Sequence, residues 1–239
     1  METSTKHNKI LKAAIPHTIP VFFGYIFMGI AFGILLTSKG YSFGWAFFMA
    51  LTMFAGTGQF VAINMLLPGY SLIQVFIMEL MVNARHIFYG LSLLEKVKDM
   101  GWQKFYIIFG LTDETYALLS SAVPPQGINP NKFRFLIAVL NHSYWIIGCT
   151  LGGLVGSLIN INTTGIDFVM TALFTVIAID QWHEATTHLP AIIGVSTAFI
   201  CLLIFGANNF LIPALLIIMI SLTLCRKKIE NKKETDISC

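Results

Sequence analysis

One long apolar stretch, from Leu72 to Leu94, carries polar and ionisable side chains near its middle. They are Glu79, Asn83, Arg85 and His86. The stretch is long enough to cross a bilayer, which takes about 20 mostly apolar residues. A charge at bilayer depth costs about 2.5–3.5 kcal/mol on insertion scales, so membrane helices seldom carry one without a use for it. The stretch therefore predicts a polar path for a solute through a membrane.

The composition extends this interpretation to the whole chain. Of the 239 residues, 56% are hydrophobic and 11% are charged, whereas soluble domains have roughly 25% charged residues. We expect an all-α, polytopic helical membrane protein with a cytoplasmic N-terminal tail at 1–12, a single transmembrane transport domain at 13–225 and a basic cytoplasmic C-terminal tail at 226–239. The net charge of +3 lies mostly near the ends. It indicates orientation signals and no surface for nucleic acid.

Seven or eight membrane crossings are expected, and eight are favoured. The candidate spans are Ala13–Leu36, Phe43–Leu66, Leu72–Leu94, Phe105–Val123, Phe133–Ile159, Ile166–Trp182, Leu189–Phe205 and Phe210–Cys225. Pro16 and Pro20 predict a first helix that is kinked or starts late. Gly56 and Gly58 weaken the second span and predict a break at 54–59, which would make one segment re-entrant.

The distribution of lysine and arginine predicts that both termini lie in the cytoplasm. With eight spans, the inside segments hold Lys6, Lys9, Lys12, Lys132, Arg134, Arg226, Lys227, Lys228, Lys232 and Lys233, and the outside loops hold Lys39, Lys96, Lys98 and Lys104. Basic residues favour the cytoplasmic side. The loop at 95–104 departs from the rule, because it carries three of the lysines that this topology places outside.

Two pairs of glycines have the same spacing in distant parts of the chain. Gly29 and Gly33 are four residues apart in the first span, and Gly148 and Gly152 are four apart in the fifth. Such pairs are more often packing faces than sites. They are also consistent with an internal repeat, as in many secondary transporters, although chance accounts for them equally well.

The polar residues of the third span fall on two helix faces. Glu79, Asn83 and His86 follow the spacing i, i+4, i+7, and Arg85 with Tyr89 forms a second pair on a neighbouring face. One face suits a solute path and the other a contact with another helix. A purely structural alternative is that Arg85 and Glu79 extend to the membrane surface, or pair with each other, only to hold the bundle together.

Four further residues are candidates for the same path. Asp113 and Glu114 interrupt the fourth span, and either one is expected to pair with Arg85 or to carry a proton. Gln59 lies on the same predicted helix face as Gly56, and the small glycine would let either a ligand or a neighbouring helix approach closely. Asn141, at the start of the fifth span, either contacts a polar substrate or caps the helix.

No cofactor or metal is expected. His183 and His188 resemble the histidines of a zinc box, but five residues separate them where the box has four. At 3.6 residues per turn, this spacing turns the second ring away from the first by roughly 140°.

Four motifs together resemble the AzlC family, the large subunit of bacterial branched-chain amino acid exporters. They are the glycine-rich end of the first span at 29–33, Phe54–Phe60, the Asn-Ala-Arg-His-Ile-Phe-Tyr run at 83–89 and the Thr-Asp-Glu triplet at 112–114. The likeness extends over roughly 11–225. It implies a protein of the bacterial inner membrane that works with a small, hydrophobic AzlD-like membrane subunit.

The resemblance further implies export of leucine, isoleucine and valine, and in some members methionine or toxic analogues, driven by the proton gradient. In such an exporter Arg85 or His86 would bind the substrate carboxylate. Asp113 or Glu114 would bind its ammonium or carry the proton, and Glu79 is the other candidate for the proton. The alternatives are an intramembrane enzyme that uses the histidine and acidic cluster, and a structural or sensor subunit that transports nothing.

Overall fold

The structure is a computed structural model that describes residues 2–66 and 69–159, and after them 175, 178–179, 182–183, 187–206, 210, 213–214 and 216–224. The regular elements in these residues are helices, and no strand is found among them. The predicted all-α class is therefore confirmed for the described chain. The chain divides into two compact units, Met1–Asp167 and Phe168–Cys239. The domain and tail boundaries stay predictions.

The first unit contains all the candidate site residues. Its helices are α1 (Glu2–Ser38), α2 (Phe43–Thr52), α3 (Gly56–Met65), α4 (Leu72–Asn83), α5 (Arg85–Val97), α6 (Gln103–Phe109), α7 (Asp113–Ser121) and α8 (Pro130–Leu158).

The helices α1 and α8 form the long scaffold of this unit. Within the described residues, two helical segments, Lys9–Ser38 and Pro130–Leu158, are long and apolar enough to cross a membrane. The start of α8 is set by Asn129, whose side chain accepts hydrogen bonds from the backbone N–H groups of Asn131 and Lys132. Such a cap satisfies donors that have no partner inside the helix.

The paired glycines bring α1 and α8 into backbone contact. A Cβ added to Gly29 would lie 2.8 Å from the backbone nitrogen of Cys149, and one added to Gly33 would overlap the Cys149 carbonyl oxygen. On α8, Gly148 and Gly152 meet the backbone of α1 in the same way. The prediction of a packing face is confirmed, and this shared interface accounts for both spacings. The internal repeat stays a prediction.

Of the two alternatives predicted for the first helix, the late start is wrong and the kink stays a prediction. The helix α1 already begins at Glu2 and continues through Pro16 and Pro20. Each proline removes one backbone donor, but packing outweighs the loss. On α1, Ala14, Val21 and Tyr25 are buried.

The second predicted span, Phe43–Leu66, is divided into α2 and α3. The interruption lies at 53–55, where Met53 and Ala55 have φ of −127° and −145° and cannot continue a helix. The sequence predicted a break at 54–59, so its position is nearly right. The two glycines belong to the first turn of α3 and do not form the break itself.

The third and fourth predicted spans, Leu72–Leu94 and Phe105–Val123, each consist of two helices. Around Ala84 the backbone hydrogen bonds span three residues and not the four of an α-helix. The Ala84 N–H donates to the Met81 carbonyl, and the Ile87 N–H donates to the Ala84 carbonyl. In the fourth span, residues 110–112 separate α6 from α7. All three interruptions lie within the first unit.

In the second unit, α9 (Leu189–Phe205) has the bounds of the predicted seventh span. It ends at Gly206, whose positive φ of 72° suits glycine. Helical residues 213–214 and 216–224 fall within the predicted eighth span. Most of the predicted span Ile166–Trp182 and the C-terminal tail lie outside the described residues. The number of crossings stays a prediction.

Candidate functional site

An ion pair joins two of the interrupted spans. Arg85 Nη1, at the start of α5, lies 2.8 Å from Asp113 Oδ2, at the start of α7. The second nitrogen, Arg85 Nη2, donates to Thr57 Oγ1 on α3 at 3.2 Å, and the Tyr89 hydroxyl donates to Asp113 Oδ1 at 2.6 Å. Asp113 was one of the two expected partners of Arg85. One guanidinium thus connects α3, α5 and α7 next to the three breaks.

The acidic start of α7 follows from local physics. The Thr112 side chain caps the helix by accepting from the Thr115 backbone N–H at 3.2 Å. Asp113 and Glu114 then occupy the first turn, where the helix dipole stabilises negative charge. The two carboxylates that interrupt the hydropathy of the fourth span are therefore also the residues that favour a helix start at this position.

Glu79 and Asn83 form a second polar pair, on α4. Asn83 Nδ2 donates both to Glu79 Oε2 and to the Glu79 carbonyl oxygen, each at 2.9 Å. The pair lies against Gly58 in the first turn of α3, because a Cβ there would be 2.6 Å from Glu79 Oε2 and 2.8 Å from Asn83 Nδ2. The structure bonds Glu79 to Asn83 and Arg85 to Asp113, so the expected pair of Arg85 with Glu79 is not formed, and a structural role for these residues stays an alternative.

Two buried atoms of opposite character lack partners in this cluster. Arg85 Nε, a donor, and Glu79 Oε1, an acceptor, are both shielded from solvent and make no hydrogen bond in the structure. Buried polar atoms without partners are costly, so each is a candidate position for a ligand or a water molecule. The cluster therefore offers one cationic donor, at Arg85, and one carboxyl acceptor, at Glu79, for a bound polar molecule.

Glu114 is bound on the α1 side of the cluster and not by Arg85. The buried Tyr25 hydroxyl donates to Glu114 Oε2 at 2.8 Å and lies 2.5 Å from Thr112 Oγ1. Nothing in the sequence near Glu114 indicated Tyr25, which lies 89 positions earlier. The sequence feature that could have indicated this bond is Tyr25 itself, a tyrosine in the mostly apolar first predicted span.

Gln59 and Asn141 lie deeper in the same unit, and both are fully buried. Gln59 Oε1 accepts from Trp145 Nε1 at 2.6 Å, while Gln59 Nε2 has no partner. Asn141 Nδ2 donates to Thr115 Oγ1 at 3.1 Å, and Asn141 Oδ1 has no partner. Asn141 does not cap α8, since the helix starts eleven residues earlier at Pro130. The capping alternative is wrong.

His86 stands apart from the polar pair on α4. His86 lies on α5, just past the single turn residue Ala84, whose φ of −55° and ψ of −31° stay in the right-handed helical region. The stripe through Glu79, Asn83 and His86 stays a prediction. Its half-buried ring lies 5.9 Å from the Tyr89 ring, centroid to centroid. Within the described residues, no group of three or more His, Cys, Asp or Glu side chains is arranged to hold a metal.

The comparison with known proteins identifies the family. The AzlC protein family profile matches residues 20–159, which include the whole cluster. The chain is 43% identical to the branched-chain amino acid transport protein AzlC of Bacillus subtilis, over 92% of this chain and 87% of that protein. No solved structure matches the chain.

Other relatives carry less specific names. An uncharacterized membrane protein of Helicobacter pylori J99 is 46% identical over 93% of this chain and 97% of its own length. The inner membrane protein YgaZ of Escherichia coli is 30% identical over 59% of this chain and 58% of its own length. These names agree with the apolar helices of the structure, and the chain is a membrane protein that belongs to the AzlC family.

Proposed function

We propose that this protein is a secondary transporter that exports branched-chain amino acids across the bacterial inner membrane in exchange for protons. It would work with a small AzlD-like subunit and have both termini in the cytoplasm. The family and the printed name of the Bacillus subtilis relative support the substrate class. The name of the Escherichia coli relative supports the inner membrane. The observation that carries the proposal is the pair of unsatisfied atoms at Arg85 and Glu79.

An amino acid is a zwitterion and needs partners of both signs. Arg85 Nε can donate to its carboxylate, and Glu79 Oε1 can accept from its ammonium. Asp113 holds the guanidinium in place from the other side through the 2.8 Å ion pair. Interrupted helices that surround a polar site near their breaks are a recurrent design of transporter binding sites, because the breaks expose helix ends to the solute.

The side chain of the substrate would meet an apolar wall. The Met53 methyl group lies 3.1 Å from the position of a Cβ on Gly58, beside Glu79 and Asn83. Methionine is flexible and fills irregular spaces. A wall of this kind suits leucine, isoleucine, valine and methionine, since these differ in shape but are all apolar.

Four groups could carry the coupled proton, and they are Glu79, His86, Asp113 and Glu114. Each is only partly buried, so each could exchange a proton with water during the cycle. Alternating access would then expose the cluster to one side of the membrane at a time.

The test is efflux from cells. Bacteria that lack related transporters should be loaded with leucine and valine from dipeptides, with and without this chain and its small subunit. We expect several-fold faster efflux of both amino acids when the chain is present, and slower efflux when a protonophore collapses the gradient. Glu79→Gln should lose the effect, and Glu95→Gln, at an exposed surface pair, should keep it. Equal efflux with and without the chain would favour the enzyme or sensor alternatives.

A further inference from the structure

The two long helices of the first unit run in the same direction. Gly148 of α8 packs against Ile26 of α1, and Gly156 packs against Ile34 further along both helices. At a rise of 1.5 Å per residue, α1 and α8 are about 55 and 43 Å long, more than the ~30 Å of a hydrocarbon core. Both helices therefore start at one end of the unit and finish at the other, which we call the far end. The starting end is called the lysine end, because three lysines line one cavity there: Lys9, Lys12 and Lys132.

The helices α2 and α3 form a hairpin whose two ends both lie at the far end. Phe43, the first residue of α2, packs against Gly153 near the end of α8. After α3, the Leu66 carbonyl oxygen accepts from the Tyr41 hydroxyl at 3.1 Å, so the chain has returned to the residues that precede α2. Each helix has ten residues and a length of about 15 Å. Each arm of the hairpin thus covers half of a hydrocarbon core.

The helices α6 and α7 form a second hairpin, and its two ends lie at the lysine end. Gln103, the first residue of α6, lines a cavity together with Ile10 of α1 and Lys132 of α8. The loop that follows α7, at 125–129, lines the neighbouring cavity with Lys9. The two helices have seven and nine residues, about 10 and 14 Å. The second hairpin is therefore also too short to cross the hydrocarbon core.

Between the hairpins, α4 and α5 carry the chain from the far end to the lysine end. The start of α4 at Leu72 is six positions after Leu66, a reach of at most about 21 Å. The last residue of α5, Val97, is buried in one apolar cluster with Ile10 of α1 and Phe133 of α8. The two helices have 12 and 13 residues, about 38 Å together, which is enough to cross.

The tips of the two hairpins meet beside the middle of α8. A Cβ on Gly110, at the second tip, would lie 3.9 Å from Phe54 Cδ1 at the first. The rings of Phe54 and Phe109 both contact the ring of His142, at 4.6 and 5.6 Å between centroids. Irregular backbone is tolerated at membrane depth only where protein surrounds it. Phe54 and Thr112 meet this condition, since they are 4% and 6% exposed.

The same arrangement removes the exception to the charge rule. With eight crossings, the loop at 95–104 lies outside although it carries three lysines. With two hairpins, this loop lies at the lysine end, because α4 and α5 make the one crossing between the end of α1 and the start of α8. Of the seven lysines whose side chains the structure describes in this unit, Lys39 alone is then at the far end. A strong bias of this kind is typical of the cytoplasmic side.

We infer that residues 43–66 and 103–121 do not cross the membrane, but enter it from opposite sides as re-entrant hairpins that meet near its middle. Thr57 belongs to one hairpin and Asp113 to the other, and the Arg85 guanidinium bonds to both. Each hairpin thus separates the charged cluster from one side of the membrane. The topology stands without the proposed function, whereas the role of the hairpins as the two barriers of alternating access rests on it.

The first test uses the wild-type chain in bacterial cells. A membrane-impermeant reagent for amines is added to intact cells or to inside-out vesicles, and the labelled lysines are identified by mass spectrometry. We expect Lys98 and Lys132 to react in inside-out vesicles and Lys39 to react in intact cells. Eight crossings would instead place Lys39 and Lys98 on one side and Lys132 on the other. Either of these two pairings would overturn the inference.

Single cysteines at exposed positions test each hairpin by itself. The changes that bracket the first are Ser42→Cys and Tyr70→Cys, and those that bracket the second are Asp99→Cys and Gln126→Cys. Of the native cysteines, Cys149 and Cys201 are buried and stay in place, while Cys225 and Cys239 are replaced by serine.

With a membrane-impermeant maleimide, we expect the two members of each pair to react from the same side, and the two pairs to react from opposite sides. A pair whose members react from opposite sides would show a crossing and overturn the inference for that hairpin. The expected labelling in a wild-type chain that exports no leucine would overturn the proposed function and leave this topology in place.

Discussion

Arg85 and Asp113 form an ion pair of 2.8 Å between the first residues of two different helices, α5 and α7. Through Thr57 the same guanidinium also reaches the first turn of α3. Three helix starts that follow breaks in predicted spans are thus connected by one side chain. The Arg85 guanidinium therefore has one partner on α3, the Thr57 hydroxyl, and one on α7, the Asp113 carboxylate.

The first prediction concerns the stability of this pair. Arg85→Gln and Asp113→Asn should each destabilise the protein, and the double variant should lose less than the sum. The side chains are 28% and 41% exposed, so we expect about 2 kcal/mol for each single change, between the ~0–1 kcal/mol of surface pairs and the ~3–5 kcal/mol of buried ones. Thermal unfolding in detergent measures this. Strictly additive losses would contradict a direct interaction.

The second prediction concerns the contact between α3 and α4. Gly58→Ala would place a methyl group 2.6 Å from Glu79 Oε2 and should push the carboxylate out of the cluster. We expect leucine transport to fall about tenfold, roughly 1.4 kcal/mol. Gly90→Ala is the control, since a Cβ there meets nothing within 4 Å. Equal transport by the two variants would mean that the position of Glu79 is unimportant.

The third prediction concerns the scaffold. Gly33→Ala should destabilise the fold by about 3 kcal/mol, at the upper end of the usual cost of overpacking, because its Cβ would overlap backbone atoms of α8 that cannot move aside. Gly24→Ala, on the same helix with open space around it, should unfold at the wild-type temperature or slightly above. The yield and melting temperature of the purified variants are the readout. A Gly33→Ala protein as stable as Gly24→Ala would exclude the close packing of α1 on α8.

The fourth prediction concerns the buried amide of Gln59. Trp145→Phe removes the N–H that donates to Gln59 Oε1 at 2.6 Å and leaves both ends of the amide without partners. The cost should be about 1–3 kcal/mol, the usual range for an unsatisfied buried group. Trp102→Phe, at a side chain that is 87% exposed, should change the melting temperature little. Indistinguishable melting curves for these two variants would count against the Gln59–Trp145 bond.

Local features of the sequence explain which parts of the fold were predictable. The glycines at 56 and 58 indicated the break between α2 and α3, because glycine weakens a helix wherever it occurs. The break at Ala84 carried no such signal. There the Asn83 side chain bonds to the backbone of the preceding turn, and this competition depends on a side-chain conformation that residue type alone does not determine.

The residues of the candidate site were predictable from their type, but their hydrogen-bond partners were not. The cost of burying charge marks Glu79, Arg85 and Asp113 as candidates in the amino-acid sequence, and the structure bonds two of them, Arg85 and Asp113, to each other. The bonds from Gln59 to Trp145 and from Glu114 to Tyr25 join residues that are 86 and 89 positions apart. Such contacts depend on how the helices pack, which the periodicity of a single helix does not contain.

In the proposed transporter, the charged cluster of Arg85, Asp113 and Glu79 binds the transported amino acid. Leucine counterflow into proteoliposomes by Arg85→Gln tests it most directly, beside Lys98→Gln, which removes the cation of an exposed surface pair. We expect Arg85→Gln to lose at least nine-tenths of the counterflow, about 1.4 kcal/mol or more, and Lys98→Gln to match the wild type. Full counterflow by a stably folded Arg85→Gln protein would contradict it.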